Sequence, residues 1–570
     1  MAAAARALRE FVGGDLAAAN DEATNLCAIE DPVETPFKSK YAAINVLCAA
    51  RKQLAGLLDA HERERASAGS DAAGGDSAAA EDALCALDVR LGGIHIDVEA
   101  PHDAQGCLER ALAHVTDGGK ARVRQRLRAT AHDLYNQLGV LWTNRGEHER
   151  AGAYLEEAAE IYASFGAFAT AASPLEPTRD CEAYAGETAE RLYAHTAFYL
   201  AQSYGVLGRD EEAAAMCGET LTRQLTAAAA GATVNAAAAD YGQQLAGLNF
   251  ADWVGNTAQL SGAFVGLGDM VAAEHCVLAA EAVWALRPGG ASGGESDGVR
   301  ERELGANIAL CRGKLHAARL EKAVQQRQSR QFGRSDGEEE DEARRTGKRR
   351  LPLGGVRGIT LPEPHLRPVG AITQGGWLDA CAEFRDAQRA FRVAMEFYVL
   401  DGYVTDHVNV LRALSAAHGT LAGFLLVPAK SDGLGKAEGA KYCKVQRRRA
   451  KLLEGVVDEL NPSHFAAMWQ EMHFELGEVA SSMVDAKQAV GHRYCSVARC
   501  ATRAEKHFKR FLDGFRVPMP DGDMPTRIDN EEAEQTYLTG RFTLARLLQK
   551  AHRCAARVTR ASARASHYTR

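Results

Sequence analysis

The residues that could do chemistry are numerous but poorly spaced for it. The chain carries 13 cysteines and 18 histidines. The thiols stand singly, as at Cys27, Cys48, Cys85 and Cys217, with no Cys-x-x-Cys and a nearest pair at Cys495 and Cys500. A metal centre needs ligands clustered at short spacing, so no metal and no cofactor is expected. Isolated thiols in odd number fit a reducing compartment. One nucleophile pattern occurs, Gly290-Ala291-Ser292-Gly293-Gly294. A serine of that type must sit on a strained turn between a buried strand and a helix, whereas Ser292 lies in the glycine-rich run Gly289–Gly298. No phosphate loop, zinc-protease helix or calcium loop is present. Single histidines such as His95, His195 and His275 read as packing or surface residues. The chain is therefore expected not to be an enzyme.

The residues that do recur at fixed steps are small and apolar. Tyr135, Leu138, Gly139, Trp142, Gly146, Ala151, Leu155 and Ala158 match the tetratricopeptide pattern of two short antiparallel helices. Leu200, Ala201, Tyr204, Gly208, Ala213, Cys217 and Thr220 repeat it, as do Leu260, Ser261, Phe264, Gly268, Ala273, Val277 and Ala280. A weaker copy comes first, with Leu91, Gly92, His95, Ala104, Leu108 and Ala111, and there Glu99 replaces the turn glycine. Helices cross closely only where a small residue sits at the crossing, and a glycine suits the turn between them. One pair cannot bury its whole apolar face, so pairs must stack. Copies lie further apart than the ~34 residues of an uninterrupted array, which requires longer helices or inserted loops.

The expected fold is all α, a tetratricopeptide-like right-handed α-solenoid in two helical halves. Past residue 370, apolar residues keep helical spacing from Trp377 to Leu400, Tyr403 to Leu426, Cys443 to Leu460, Pro462 to Val484 and Ser496 to Phe515. The boundaries fall at 1–320 for the first half, 321–370 for a flexible, charged, Pro/Gly-rich linker, 371–548 for the second half and 549–570 for a basic tail. The linker holds the acidic run Glu338–Glu342 and the basic triplet Lys348–Arg350. Ala66–Glu81 reads as a smaller insertion. Residues Met1–Ala19 read as a structural first helix rather than an organelle transit peptide, because Glu10 and Asp15 interrupt them and their apolar spacing suits an amphipathic helix.

In 570 residues, 67 Lys and Arg stand against 75 Asp and Glu, a formal net charge of −8. That balance argues against nucleic acid as a main partner. No apolar run reaches the ~18 residues of a membrane span, so no membrane insertion is expected.

Longer stretches carry a sharper signal. They are Pro36-Phe37-Lys38-Ser39-Lys40-Tyr41, Leu91-Gly92-Gly93-Ile94-His95-Ile96-Asp97, Leu138-Gly139-Val140-Leu141-Trp142 and Ala153-Tyr154-Leu155-Glu156. Tyr199-Leu200-Ala201-Gln202-Ser203-Tyr204, Thr222-Arg223-Gln224-Leu225 and Leu460-Asn461-Pro462 follow. The most distinctive is Leu400-Asp401-Gly402-Tyr403-Val404-Thr405-Asp406-His407, which no generic repeat explains. With these the chain, from about Arg6 to Leu548, resembles the KIF-binding protein family of kinesin-binding solenoids. The tail from His552 to Arg570 does not look like that family.

The resemblance implies a cytoplasmic, cytoskeleton-associated protein that grips kinesin motor domains and keeps them off microtubules, regulating organelle and mitochondrial transport. A monomer is expected. The charge sign is compatible, since a motor's microtubule-binding face is basic and an acidic groove can compete for it. Combined with repeat geometry, in which first helices line the concave surface, the resemblance makes Tyr199, Gln202, Gln224, Asn256 and Gln259 the expected partner-binding residues. The alternative is a general tetratricopeptide adaptor for peptide tails such as those of chaperones, whose groove clamps a terminal carboxylate. Asn136 would be a member of that clamp, but Phe198 and Ala258 occupy the equivalent positions and supply no cation.

Overall fold

The computed structural model describes residues 2–32, 35–68, 75–116, 127–169, 187–230, 248–287, 295–331, 351–354, 359–426, 435–491, 494–517, 519–524, 527–528 and 530–568. Among them the regular structure is helical, with isolated bridge positions at Ile359 and between Val517 and Asp523. The chain divides into two compact units, Met1–Ala227 and Ala228–Arg570.

In the first unit α1 (Ala2–Glu10), a π turn (Phe11–Asp15) and α2 (Leu16–Cys27) form the opening helix, and Leu8, Phe11 and Leu16 are buried as a structural helix requires. Then come α3 (Lys38–Ala68), α4 (Gly75–Asp97), α5 (Pro101–Thr116), α6 (Arg128–Asn144), α7 (His148–Ala169), α8 (Glu187–Val206) and α9 (Asp210–Ala230). The expected copies are the pairs α4/α5, α6/α7 and α8/α9. First helices stack on one another, α4 on α6 and α6 on α8, while α8 also packs on α7.

The small residues act as expected. A Cβ on Gly139 would lie 2.5 Å from Leu155 Cδ2, and one on Gly92 would lie 2.5 Å from Leu108 Cδ2. Only a bare backbone lets those leucines reach across. Each pair turns on a residue with left-handed backbone: Gly146 at φ 77°, Gly208 at 70° and, in the second unit, Gly268 at 76°. The amide that follows donates to the aromatic position of the repeat, Glu147 to the Trp142 carbonyl at 2.9 Å and Arg209 to that of Tyr204 at 2.8 Å. This is the Schellman closure of a helix end. In the first copy Glu99 takes the same conformation at φ 59°, and Ala100 donates to the His95 carbonyl at 2.8 Å.

The second unit holds α10 (Phe250–Gly266), α11 (Met270–Ala285), α12 (Glu295–Gln331), α13 (Val369–Gly375), α14 (Trp377–Phe397), α15 (Val404–Leu426), α16 (Lys436–Val457), α17 (Ala466–Ala489), α18 (Tyr494–Asp513) and α19 (Glu531–Tyr568). The pairs are α10/α11, α12/α14, α15/α16 and α17/α18. Each second helix also packs against the next first helix: α11 on α12, α14 on α15, α16 on α17 and α18 on α19. The stretch Leu400–His407 makes the end of the turn between α14 and α15 and the first residues of α15. Gly402 has φ 103°, His407 Nδ1 lies 2.7 Å from the Tyr398 carbonyl, and the Tyr398 hydroxyl donates to Asn307 Oδ1 at 2.8 Å.

Three expectations change. Lys322–Gln331, assigned to a linker, continue α12 and bury Ala323 and Val324. At the far end of the same segment, Leu353, Ile359 and Leu361 are buried. The buried Glu274 carboxylate of α11 accepts the amides of His365 at 2.7 Å and Leu366 at 2.9 Å, and Arg319 donates to the Arg367 carbonyl at 2.7 Å. The Pro/Gly-rich end is thus a strap held by its backbone, which no hydrophobic periodicity announces. The acidic run and the basic triplet lie outside the described residues, as does Ser292. Residues 75–81, read as an insertion, start α4, where Ser77 and Ala80 are buried. The residues read as a tail continue α19 to Tyr568.

Candidate partner-binding surface

The candidate surface is built on the first helices. In the first unit α8 is fixed from behind by a buried polar network. His132 Nε2 lies 2.8 Å from Thr196 Oγ1, Thr196 donates to Asn136 Oδ1 at 2.7 Å, and Asn136 Nδ2 donates to the Leu192 carbonyl at 2.9 Å. Burial holds the His132 imidazole down to about 4, so it is neutral and acts as packing. Asn136 is fully buried and its amide is spent on α8. It cannot serve the carboxylate clamp of the adaptor alternative.

With α8 locked, its outer face shows Phe198, half exposed, Gln202, exposed, and Tyr199, partly buried. The Tyr199 ring meets Phe198 edge-on at 5.2 Å and His195 at 4.9 Å. Partial burial, and secondarily the Asp97 carboxylate at the end of α4, push the Tyr199 phenol above its ordinary value. Burial likewise raises the Asp133 carboxyl on α6, which accepts from Gln137 at 3.2 Å and feels His195. Sequence reading missed Asp97 and His195 as neighbours of Tyr199, and Asp133 as a neighbour of His195. Their signal was present in the repeat register, which sets α4, α6 and α8 side by side.

Gln224 is exposed but sits on α9, a second helix, not on a first one. Beside it Arg223 caps a stacked pair, with its guanidinium 4.8 Å from the Tyr162 ring and 4.4 Å from the Tyr193 ring, and the rings 4.1 Å apart. Arg223 also donates to Glu219 at 2.8 Å and to Glu190. Asn256 and Gln259 are exposed on α10, a first helix of the second unit. The five expected residues therefore divide into three in the first unit and two in the second, all with access to solvent.

Exposed charge on the second unit differs from helix to helix, and first helix α12 carries the cations Arg300, Arg302 and Lys314. The exposed charged residues of first helices α15 and α17 are all acidic: Asp406, Glu471, Glu478 and Asp485. Two are shared with cations, Glu471 with Arg412 and Asp485 with Lys550. Among the described residues no group of three or more His, Cys, Asp or Glu is placed to hold a metal ion. No described helix is long and apolar enough to cross a membrane.

Stacked helix pairs that present polar, aromatic and acidic side chains on their first helices define an all-α helical-repeat scaffold for holding another macromolecule. The chain belongs to the family described as KIF-1 binding protein C terminal, which matches residues 251–567. That match runs through the stretch from His552 read above as unlike the family. The KIF-binding protein of Gallus gallus is 27% identical over 578 residues, covering 94% of this chain and 88% of the relative. That of Homo sapiens is 25% identical, covering 91% and 86%. A solved structure described as a cryo-EM map of KIFBP covers 98% of this chain and 99% of its own, with 18% identity and a TM-score of 0.49.

Proposed function

We propose that this chain binds kinesin motor domains, blocks their attachment to microtubules, and so regulates microtubule-based transport of organelles, mitochondria included. It acts as a cytoplasmic, cytoskeleton-associated monomer, through binding rather than catalysis. The observation that carries this reading is the near full-length similarity to relatives named KIF-binding protein, on a chain whose second unit belongs to that family. Charge supports it. The acids on α15 and α17 suit the basic face that a motor turns to the acidic microtubule. Tyr199 and Gln202 supply what an interface centre needs, a part-buried aromatic ring beside an amide that can pair without a large desolvation cost.

The test is co-sedimentation. Adding the chain to a susceptible kinesin motor lowers the motor's pelleting with microtubules, while the chain stays in the supernatant. Tyr199→Lys combined with Gln202→Ala keeps helical circular dichroism and weakens inhibition by about tenfold or more, the loss typical of a central contact. Unchanged inhibition removes these two residues as an anchor, and a wild type that inhibits no kinesin overturns the function.

A further inference from the structure

Three second helices of the 228–570 unit, α14, α16 and α18, carry the opposite charge from α15 and α17. On α14, α16 and α18, thirteen Lys and Arg side chains are exposed, against two exposed acids, Glu396 and Glu438. Arg392, Lys444, Arg448, Lys451, Lys506 and Arg510 mark the three rows. This concentration arises in a chain whose net charge is −8. The rows are joined through the first helices between them: α14 and α16 both pack on α15, and α16 and α18 both pack on α17. Lys506 acts on both His473 of α17 and His507 of α18. Of the few pairings made within the three rows, Arg389 meets Asp386 and Lys509 meets Glu505. None involves Lys444, Arg448 or Lys451.

We propose that this layer of second helices docks on the surface of an anionic phospholipid membrane. The shape of the charge selects that partner. Cations at 441, 444, 448 and 451 run about 15 Å along one helix, at 1.5 Å per residue. Helices α14 and α18 add a row on either side, each set one helix away across α15 or α17, so the charge covers an area rather than a line. An extended acidic peptide would engage one row and would want pockets or backbone pairing. A single-stranded nucleic acid would want aromatic platforms, and the exposed large apolar side chains of the three helices are Leu378 and Val393, neither aromatic. A sheet of anionic headgroups meets every row at once. Long lysine and arginine side chains follow such a surface without fixed geometry. With so little exposed apolar area the contact is electrostatic and reversible by salt, without insertion. The proposal stands independently of kinesin binding, since it uses the second helices and not the first.

The full chain is sedimented with phosphatidylcholine vesicles with and without phosphatidylserine, at low and at physiological salt. Binding is expected only with phosphatidylserine, falling steeply as salt rises. The triple variant Lys444→Glu, Arg448→Glu, Lys451→Glu is expected to lose at least tenfold in vesicle affinity. An equal charge change on first helix α12, by Arg300→Glu, Arg302→Glu and Lys314→Glu, is expected to cost under threefold. If the first triple variant loses helical circular dichroism, Lys444→Gln, Arg448→Gln, Lys451→Gln takes its place, with a smaller loss in the same direction. Equal losses in the α12 and α16 variants would reduce the effect to net charge and overturn the proposal. So would binding to pure phosphatidylcholine, or tighter binding to duplex DNA or polyglutamate than to the charged vesicles at the same salt.

Discussion

Two residues test the repeat from opposite directions. Gly139 leaves no room, because a methyl group there would sit 2.5 Å from Leu155 Cδ2 and 2.5 Å from its Cγ. Gly139→Ala is expected to destabilise the first unit by about 1–3 kcal/mol, the usual cost of overpacking, seen as a lower urea midpoint at unchanged slope. Glu99 has the reverse problem, since it holds a left-handed conformation at φ 59° that its three counterparts give to glycine. Glu99→Gly is expected to raise stability by up to about 1 kcal/mol, part of the strain being offset by glycine's freedom in the unfolded chain. A drop on that substitution would mean that the Glu99 side chain, not its backbone, matters at the turn. Both residues were legible in the sequence because a steric rule fixes their offset from Leu138 and Leu91. Asn136 was legible only as a polar position on a first helix. Its burial against Leu192 depends on the stacking of the next pair, which no local pattern contains.

At the scale of elements, helices were easy to read and the strap was not. Five helices beyond residue 370 were expected from apolar spacing and all five are present, the third beginning at Lys436 rather than near Cys443. The strap has no period to read. It owes its place to Leu353, Ile359 and Leu361 below it, and to Glu274 and Arg319, which address its backbone. His275 adds a contact, with Nε2 3.2 Å from the Leu353 carbonyl. Arg319 is set by a buried carboxylate, Glu383, which also lies 2.8 Å from His316 Nδ1. Contacts to Arg319 and His316 hold Glu383 below the usual carboxylate range although burial opposes them. Glu274→Gln exchanges a charged acceptor of two amides for a neutral one with buried donors of its own. It is expected to cost about 1–3 kcal/mol and to speed hydrogen exchange at the His365 and Leu366 amides. Protection unchanged at those two amides would mean that the apolar side chains hold the strap unaided.

For the molecule as a whole, buried histidines set the direction of the pH response. His473 and His507 face each other in the second unit with Nδ1 atoms 3.1 Å apart, and burial followed by the neighbouring charge keeps His473 neutral far below the ordinary 6.5. Burial depresses His507 as well, against the opposing pull of Glu454. His132 in the first unit behaves alike. The unfolded chain therefore binds more protons than the folded one below about pH 6.5, so these groups contribute full stability above that pH and lose it as pH falls toward 4. Thermal melting is expected to be flat from pH 8 to 7 and to fall steadily below about 6.5. His473→Gln should flatten that slope in the second unit, and a variant with an unchanged slope would assign the acid response to carboxylates. The strap also bears on the order of events during folding. Pairs such as α10/α11 and α17/α18 close over turns of a few residues, which costs little chain entropy and happens early. Glu274 and His365 stand 91 positions apart, so their meeting awaits most of the second unit. Until then a carboxylate destined for the interior has no amides to receive, which delays its dehydration and makes closure of the strap a late step of assembly.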